Sequence, residues 1–336
     1  SGKNFENINL ENAIFEYTDL QNSNFKNSNL ENAILKNSNL SNVDFSNSNL
    51  KSTNFAWSEL TNVSFANKDL SGANLSGIHL SNMKHDGIIL TNAILSGANL
   101  SGMDFTKIPH SGITLNGINC CLKHPTDLTN VALSDTDLSN KNLSFTNLSG
   151  QDLSKHNLEN TVLTQSNLSN VRLPSENLSN KNFFKTDFSN VDLSNREIKD
   201  SNFRKSILKN ANLENTNFIF SDFSEINLSE IRNDSLDTSN FASVLFSYSN
   251  LEGLQLQNSI KDSNFSYAKI SERNFSNREI STTIFSNIDL SNSNFDNTQM
   301  ISIYGEKTFP GAAYLHGINF NDLSRMLFAV SHIAIM

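Results

Sequence analysis

The polar residues with the strongest claim to chemistry stand twenty apart: His156, Glu176 and Arg196. A carboxylate between an imidazole and a guanidinium can hold a charged partner or pass a proton. Lys141 and Lys181 belong to the same class, long polar side chains at a position that elsewhere in the chain is small, as do Lys68, Arg273 and Arg278. We read His156, Glu176, Arg196, Lys141 and Lys181 as a candidate partner-binding strip. The plainer reading is a local ladder whose charged heads reach water or one another. Catalysis by this column would require a concave pocket around it.

A second cluster holds both cysteines of the chain, Cys120 and Cys121, with His124 close by. A thiol near an imidazole suggests a nucleophile or a metal ligand set. No carboxylate stands at a telling spacing, and two cysteines with one histidine fall short of a zinc site. Cys121, Lys123 and His124 are therefore expected in a contact loop, with Cys120 buried beside it. His85 and His110 read as tolerated core substitutions. Phosphate-binding glycine loops, zincin helices and nucleophile elbows are absent from the sequence, so neither an enzyme nor a cofactor or metal site is expected.

What must position these residues is a five-residue repeat. Leucine or phenylalanine returns at every fifth position from Phe5 to Leu80, with a small residue two places earlier and usually Asn or Asp one place earlier. That period fits neither a helix nor a flat strand. The apolar residues share one interior only if the chain turns a corner in each repeat, so that four repeats close a square coil of twenty residues. The longer period is present: Phe5, Phe25, Phe45 and Phe65 form one file, and Leu20, Leu40, Leu60, Leu80 and Leu100 another. With only 13 Gly and 4 Pro for so many corners, Asn is expected at the turn positions that need unusual backbone angles.

The repeat keeps one frame from Phe5 to Cys120 and slips near 121–127. It resumes from Leu128 to Leu228, slips again near 229–240 and 257–264, and ends about Met300. One solenoid domain is expected over 1–300, with each slip bulging as a loop. In 301–336, Leu323, Met326, Leu327, Val330 and Ile333 recur at helical spacing, as for a C-terminal helical cap over the last coil. A dimer contact or the start of a further domain are the other readings of that segment.

The net charge of −9 is spread evenly, −3 in each of 1–120, 121–230 and 231–336. Several opposite charges stand twenty apart, as Glu6 with Lys26, Glu16 with Lys36 and Glu31 with Lys51. Such a wall does not favour direct nucleic-acid binding, which needs clustered cations. No segment reads as a membrane span or secretory signal, and the cysteine count gives no sign of an oxidising compartment.

Repeats such as Ala73-Asn74-Leu75-Ser76-Gly77, Ala98-Asn99-Leu100-Ser101-Gly102 and Ala211-Asn212-Leu213-Glu214-Asn215 resemble the motif of the pentapeptide-repeat family along nearly the whole chain. The resemblance implies an all-β fold, a right-handed quadrilateral β-helix. For function it implies several uses. Some members mimic DNA and bind DNA gyrase as dimers, whereas others are effectors delivered into host cells, including ubiquitin ligases with such a helix before a catalytic domain. The even charge argues against a DNA mimic, which should carry a dense acidic stripe. The expectation is a non-enzymatic bacterial protein-binding solenoid, a secreted effector or scaffold module, located in the bacterial cytoplasm or in a host cell. Its partner would be another protein, with a homodimer through the C-terminal segment as a further possibility.

Overall fold

The computed structural model describes residues 1–81, 83–101, 103–110, 113–115, 125–133, 137–175, 177–231, 240–252, 260–270, 275, 279–281, 283 and 299–301. The expected helical cap lies outside them. The chain divides into two compact units, Ser1–Asn167 and Leu168–Met336.

Each corner is a four-residue turn. The N–H three residues after a centre returns to the centre's carbonyl, as Ser28 to Phe25 (3.1 Å) and Ala33 to Leu30 (2.9 Å). The third residue of the turn has positive φ, a conformation that glycine and asparagine adopt most readily. Among the described residues, twenty of the thirty-four non-glycine residues with positive φ are Asn. The Asn or Asp before the centre has its own task. Its Oδ1 accepts the N–H that follows the centre, as Asn24 from Lys26 (2.9 Å) and Asp44 from Ser46 (2.8 Å), which pins the turn from the other side. The two Asn positions of the repeat are thus two halves of one corner.

Between corners the chain is extended for too few residues to make long strands, and successive coils pair in parallel through short bridges. In the first unit the partners lie twenty apart from Asn4↔Asn24 onward, then twenty-eight apart at Asn99↔Asp127 and Asp104↔Ala132. Two-residue strands β1 (Thr126–Asp127) and β2 (Thr146–Asn147) continue the ladder at twenty. In the second unit the offset is twenty at Asn182↔Asn202, twenty-three at Asn217↔Asn240 and nineteen at Leu245↔Asn264. The strands β3 (Ile260–Lys261), β4 (Glu279–Ser281) and β5 (Gln299–Ile301) close it in one parallel sheet.

The files expected from the sequence form. Phe5 and Phe25 stack with ring centroids 4.6 Å apart, and Phe25 and Phe45 follow at 5.6 Å. Phe25 and Leu30 are fully buried, and so is Ala33 at the small position. Ser28 and Ser166 at that position turn their hydroxyls to the centre three residues earlier. At several others a Ser or Thr hydroxyl donates to the centre carbonyl twenty-three residues earlier, as Thr53 to Leu30 (2.9 Å) and Thr216 to Leu193 (2.8 Å). This satisfies a buried carbonyl and ties one coil to the next. Outside, side-chain amides stack into ladders: Asn49 donates to Asn29 (2.9 Å) and Asn29 to Asn9 (3.1 Å). The architecture is a right-handed quadrilateral β-helix.

Candidate functional site

Long side chains at the small position fold inward. Arg196, half-buried, sends its guanidinium to the backbone carbonyls of Leu173 (3.4 Å) and Pro174, so it serves the carbonyl that Ser or Thr serves elsewhere. Burial pushes its pKa down, opposed by the charge of Asp192. Gln151 does the same with the carbonyls of Leu128 and Val131 (3.0 Å to the latter). His156 is buried, 7% exposed, and its backbone N–H makes the ordinary turn bond to the Leu153 carbonyl at 2.9 Å. Lys141 and Lys181 are half-buried. Glu176, the middle of the expected strip, lies outside the described residues, as do Cys120, Cys121, Lys123 and His124. His156 falls in the first unit and Arg196 in the second. The half-buried His85 and His110 turn Nδ1 to the backbone carbonyls of Met83 and Ile108. Among the described residues no group of three or more His, Cys, Asp or Glu is placed to hold a metal ion.

Of the three charge pairs read from the twenty-residue spacing, one forms an ion pair, Lys36 with Glu16 at 3.4 Å. Glu31 instead accepts from Asn49 (3.0 Å), and Lys51 bridges to Asp69 (3.1 Å). Glu6 likewise accepts from Asn24 (3.3 Å). An amide already fixed by its turn loses less entropy than a lysine reaching the same carboxylate.

Two features stand out on the walls. The first is a corner file of the second unit that runs Lys185, Lys205, Glu225, Tyr248, Tyr267, the N–H of each of the first four donating to the next coil. Tyr248 and Tyr267 stack at 4.6 Å with rings 2° from parallel, 62% and 37% exposed. Glu225 beside them takes Arg204 through Nε at 2.7 Å and Lys205 at 2.9 Å, contacts that hold its carboxyl below the usual range. Sequence reading missed this corner, although its signal was present in aromatic residues standing two places after a centre.

The second is a gap in the first unit. Phe25, Asn27 and Leu30 each donate to the coil after them at 2.9 Å, and Phe65, Asn67 and Leu70 do likewise at 2.7–2.9 Å. Among the described residues, the N–H groups of Phe45, Asn47 and Leu50 have no such acceptor, and those of Ser64 and Asp69 have none in return. The bridges Asp44↔Ser64 and Asn49↔Asp69 are missing here, as is Glu59↔His79 on the next wall. Phe45 and Phe65 are 6.5 Å apart, the widest step of their file. The result is a groove of about 730 Å³. On the next wall Leu60 likewise makes no bond to His79, while Phe55 to Asn74 (2.8 Å) stays closed. At the lip stands Lys68, in the position where a hydroxyl would have bonded the Phe45 carbonyl. Burial pushes its pKa down, with the charge of Asp44 opposing.

A pentapeptide repeat region model matches residues 2–75, and a model of eight pentapeptide repeats matches 73–108, 126–165, 142–180 and 198–232. The chain belongs to the pentapeptide-repeat family. Several solved structures are similar to this pentapeptide-repeat chain. HetL, a pentapeptide repeat protein involved in heterocyst differentiation regulation from the cyanobacterium Nostoc, is 21% identical over 72% of this chain and 86% of its own, with TM-score 0.18. A trypsin-treated form of QnrB1, a plasmid-mediated fluoroquinolone resistance protein, is 12% identical over 78% and 88%, with TM-score 0.20. A pentapeptide repeat protein from the thylakoid lumen of Arabidopsis thaliana is 18% identical over 35% and 64%, with TM-score 0.17. No curated protein matches the chain. The fold rests on the ladder and files described above. Among the described residues no helix is long and apolar enough to cross a membrane.

Proposed function

We propose that this pentapeptide-repeat chain is a non-enzymatic bacterial protein whose walls bind another protein, as a scaffold or secreted effector module. The observation that carries the reading is the exposed Tyr248–Tyr267 stack beside the Arg204–Glu225–Lys205 cluster. Tyrosine and arginine are the residues that dominate protein interfaces, and here both are held before any partner arrives. A side chain already fixed by stacking or ion pairing loses little further freedom on binding, so more of its contact energy appears as affinity.

The gyrase-binding alternative needs a bare acidic stripe. It is disfavoured because carboxylates such as the exposed Glu197 and the half-buried Glu16 and Glu225 are paired with a lysine or arginine. Supercoiling by purified gyrase should therefore be unaffected at micromolar chain.

The test is photo-crosslinking of the full chain in the cells that express it, followed by affinity measurement with the protein captured. Tyr248→Ser with Tyr267→Ser should weaken that affinity by tenfold or more at unchanged stability. Affinity that survives the double substitution, or clear gyrase inhibition, would reject the assignment.

A further inference from the structure

The groove between the coils of Phe45 and Phe65 is a break in a sheet with both edges left unpaired. Its lower lip offers the N–H groups of Phe45, Asn47 and Leu50, and its upper lip those of Ser64 and Asp69. Each lip also carries the carbonyls that would have received the other's donors. Unpaired backbone groups that face each other across a cleft are costly unless something meets them. The gap is bounded: Asn62 still donates to Asn42 at 2.9 Å on one side, and Ser52 to Ser71 at 2.9 Å on the other.

Charge separates the possible occupants. Asp69 is already held by Lys51 (3.1 Å) and by Ser71 (3.0 Å from its N–H), and Asp44 by the N–H of Ser46 (2.8 Å). Among the described residues, none places an acceptor within hydrogen-bonding distance of the Lys68 ammonium, although that side chain is half-buried. The groove therefore combines a strand's worth of unmet backbone donors and acceptors with one unmet cation.

We propose that this groove takes an extended peptide bearing an acidic side chain, which pairs with both lips as an additional rung and sets its carboxylate on Lys68. An extended strand carries donors and acceptors on both edges, so it alone among simple ligands can satisfy two lips at once. Seating it requires the coils to part to two strand spacings, about 9.6 Å. The closed wall from Phe55 to Asn74 serves as the hinge, and the contacts that flank the gap, Asn42 with Thr61 and Asn62 on one side and Ser52 with Ser71 on the other, are the ones to be released. The inference deepens the protein-binding reading and rests on it, because it names the form and charge of one bound segment.

The experiment uses the full chain and two capped seven-residue peptides of valine and threonine, one with a central glutamate and one with a central lysine. In the free protein, the amides of Phe45, Leu50, Ser64 and Asp69 should exchange with deuterium much faster than those of Phe25 and Phe65. The glutamate peptide should protect all four, with an affinity about tenfold above that of the lysine peptide, the scale of one charge-assisted hydrogen bond. Lys68→Gln should remove that preference while leaving the protein folded. The proposal falls if the four amides are already protected without peptide, if the glutamate peptide leaves them unprotected, or if both peptides bind equally. A cellular partner still captured through Tyr248 and Tyr267 after such a result would leave the broader function standing.

Discussion

Phe203 offers the sharpest test of the stacked interior. Its side chain is fully buried, and its ring centroid lies 5.0 Å from Phe183, 5.6 Å from Phe188, 5.7 Å from Phe218 and 4.9 Å from Phe223. Phe203→Ala removes the ring from a wall whose backbone is fixed by ladder bonds on both sides, so the cavity cannot collapse. The expected loss is about 4–5 kcal/mol, the upper end for such a truncation. Phe203→Leu keeps most of the apolar area and forfeits the ring contacts, each about 0.5–1.5 kcal/mol in isolation but not additive, for a net loss of about 1–2 kcal/mol. Urea unfolding followed by circular dichroism measures both losses. Because each coil of a solenoid touches only its neighbours, hydrogen exchange should quicken first around Phe183 and Phe223 and last around Phe25. A loss below about 1 kcal/mol for Phe203→Ala, or exchange that quickens equally around Phe25, would refute the file packing.

Gly77 has φ +70°, and a Cβ there would sit 2.1 Å from Cε3 of Trp57. Gly77→Ala should therefore destabilise by about 1–3 kcal/mol and red-shift the fluorescence of Trp57, the only tryptophan, whereas Gly72→Ala, which meets only Ser52 Oγ at 3.0 Å, should cost less. Phe220 holds φ +63° while 64% exposed, so Phe220→Asn should raise thermal stability by about 0.5–1 kcal/mol. Hydrogen bonds from the Ser46 hydroxyl and N–H hold the Asp44 carboxyl below its usual range. A depressed pKa contributes stability present above the unfolded value, near 4, and lost as pH falls through the lower folded value. The stability advantage over Asp44→Ala should thus shrink in urea titrations below about pH 4, and a constant advantage down to pH 2 would contradict it.

The corner was legible because its requirements fall on single residues. A centre must be apolar, the residue two places later must tolerate positive φ, and the residue before the centre must accept a hydrogen bond. Phe25, Asn27 and Asn24 announce these tasks by type alone. The columns that follow from period twenty were equally readable, since stacking selects like with like. Side-chain destinations were less so. Arg196 was expected to reach outward to charge, yet a carbonyl left bare in the wall drew it inward, and nothing in the spacing tells a long arm from a short hydroxyl serving the same acceptor. The pairing of Lys51 with Asp69, eighteen residues on, likewise depends on how the coils are offset at each corner. The groove at Lys68 had a visible cause, a lysine among small residues, but its effect appears only when the missing bonds on both lips are seen together.

The amide ladder of Asn9, Asn29 and Asn49 has an electrical consequence. Each Oδ1 is also held by a backbone N–H of its own turn, from Glu11, Glu31 and Lys51, so none of these amides can flip. Asn29 and Asn49 therefore point their donors toward the preceding coil. Backbone bonds between the same coils run both ways, Leu10 to Asn29 and Asn29 to Ile8, and largely cancel. The side-chain dipoles do not; they add head to tail, as peptide units do in a helix. Along this file the dipoles of Asn29 and Asn49 thus share one direction, and their positive ends are met by the carboxylates of Glu11 and Glu31 as well as by the next amide, so the row works as a one-way wire whose charge is already answered at each step.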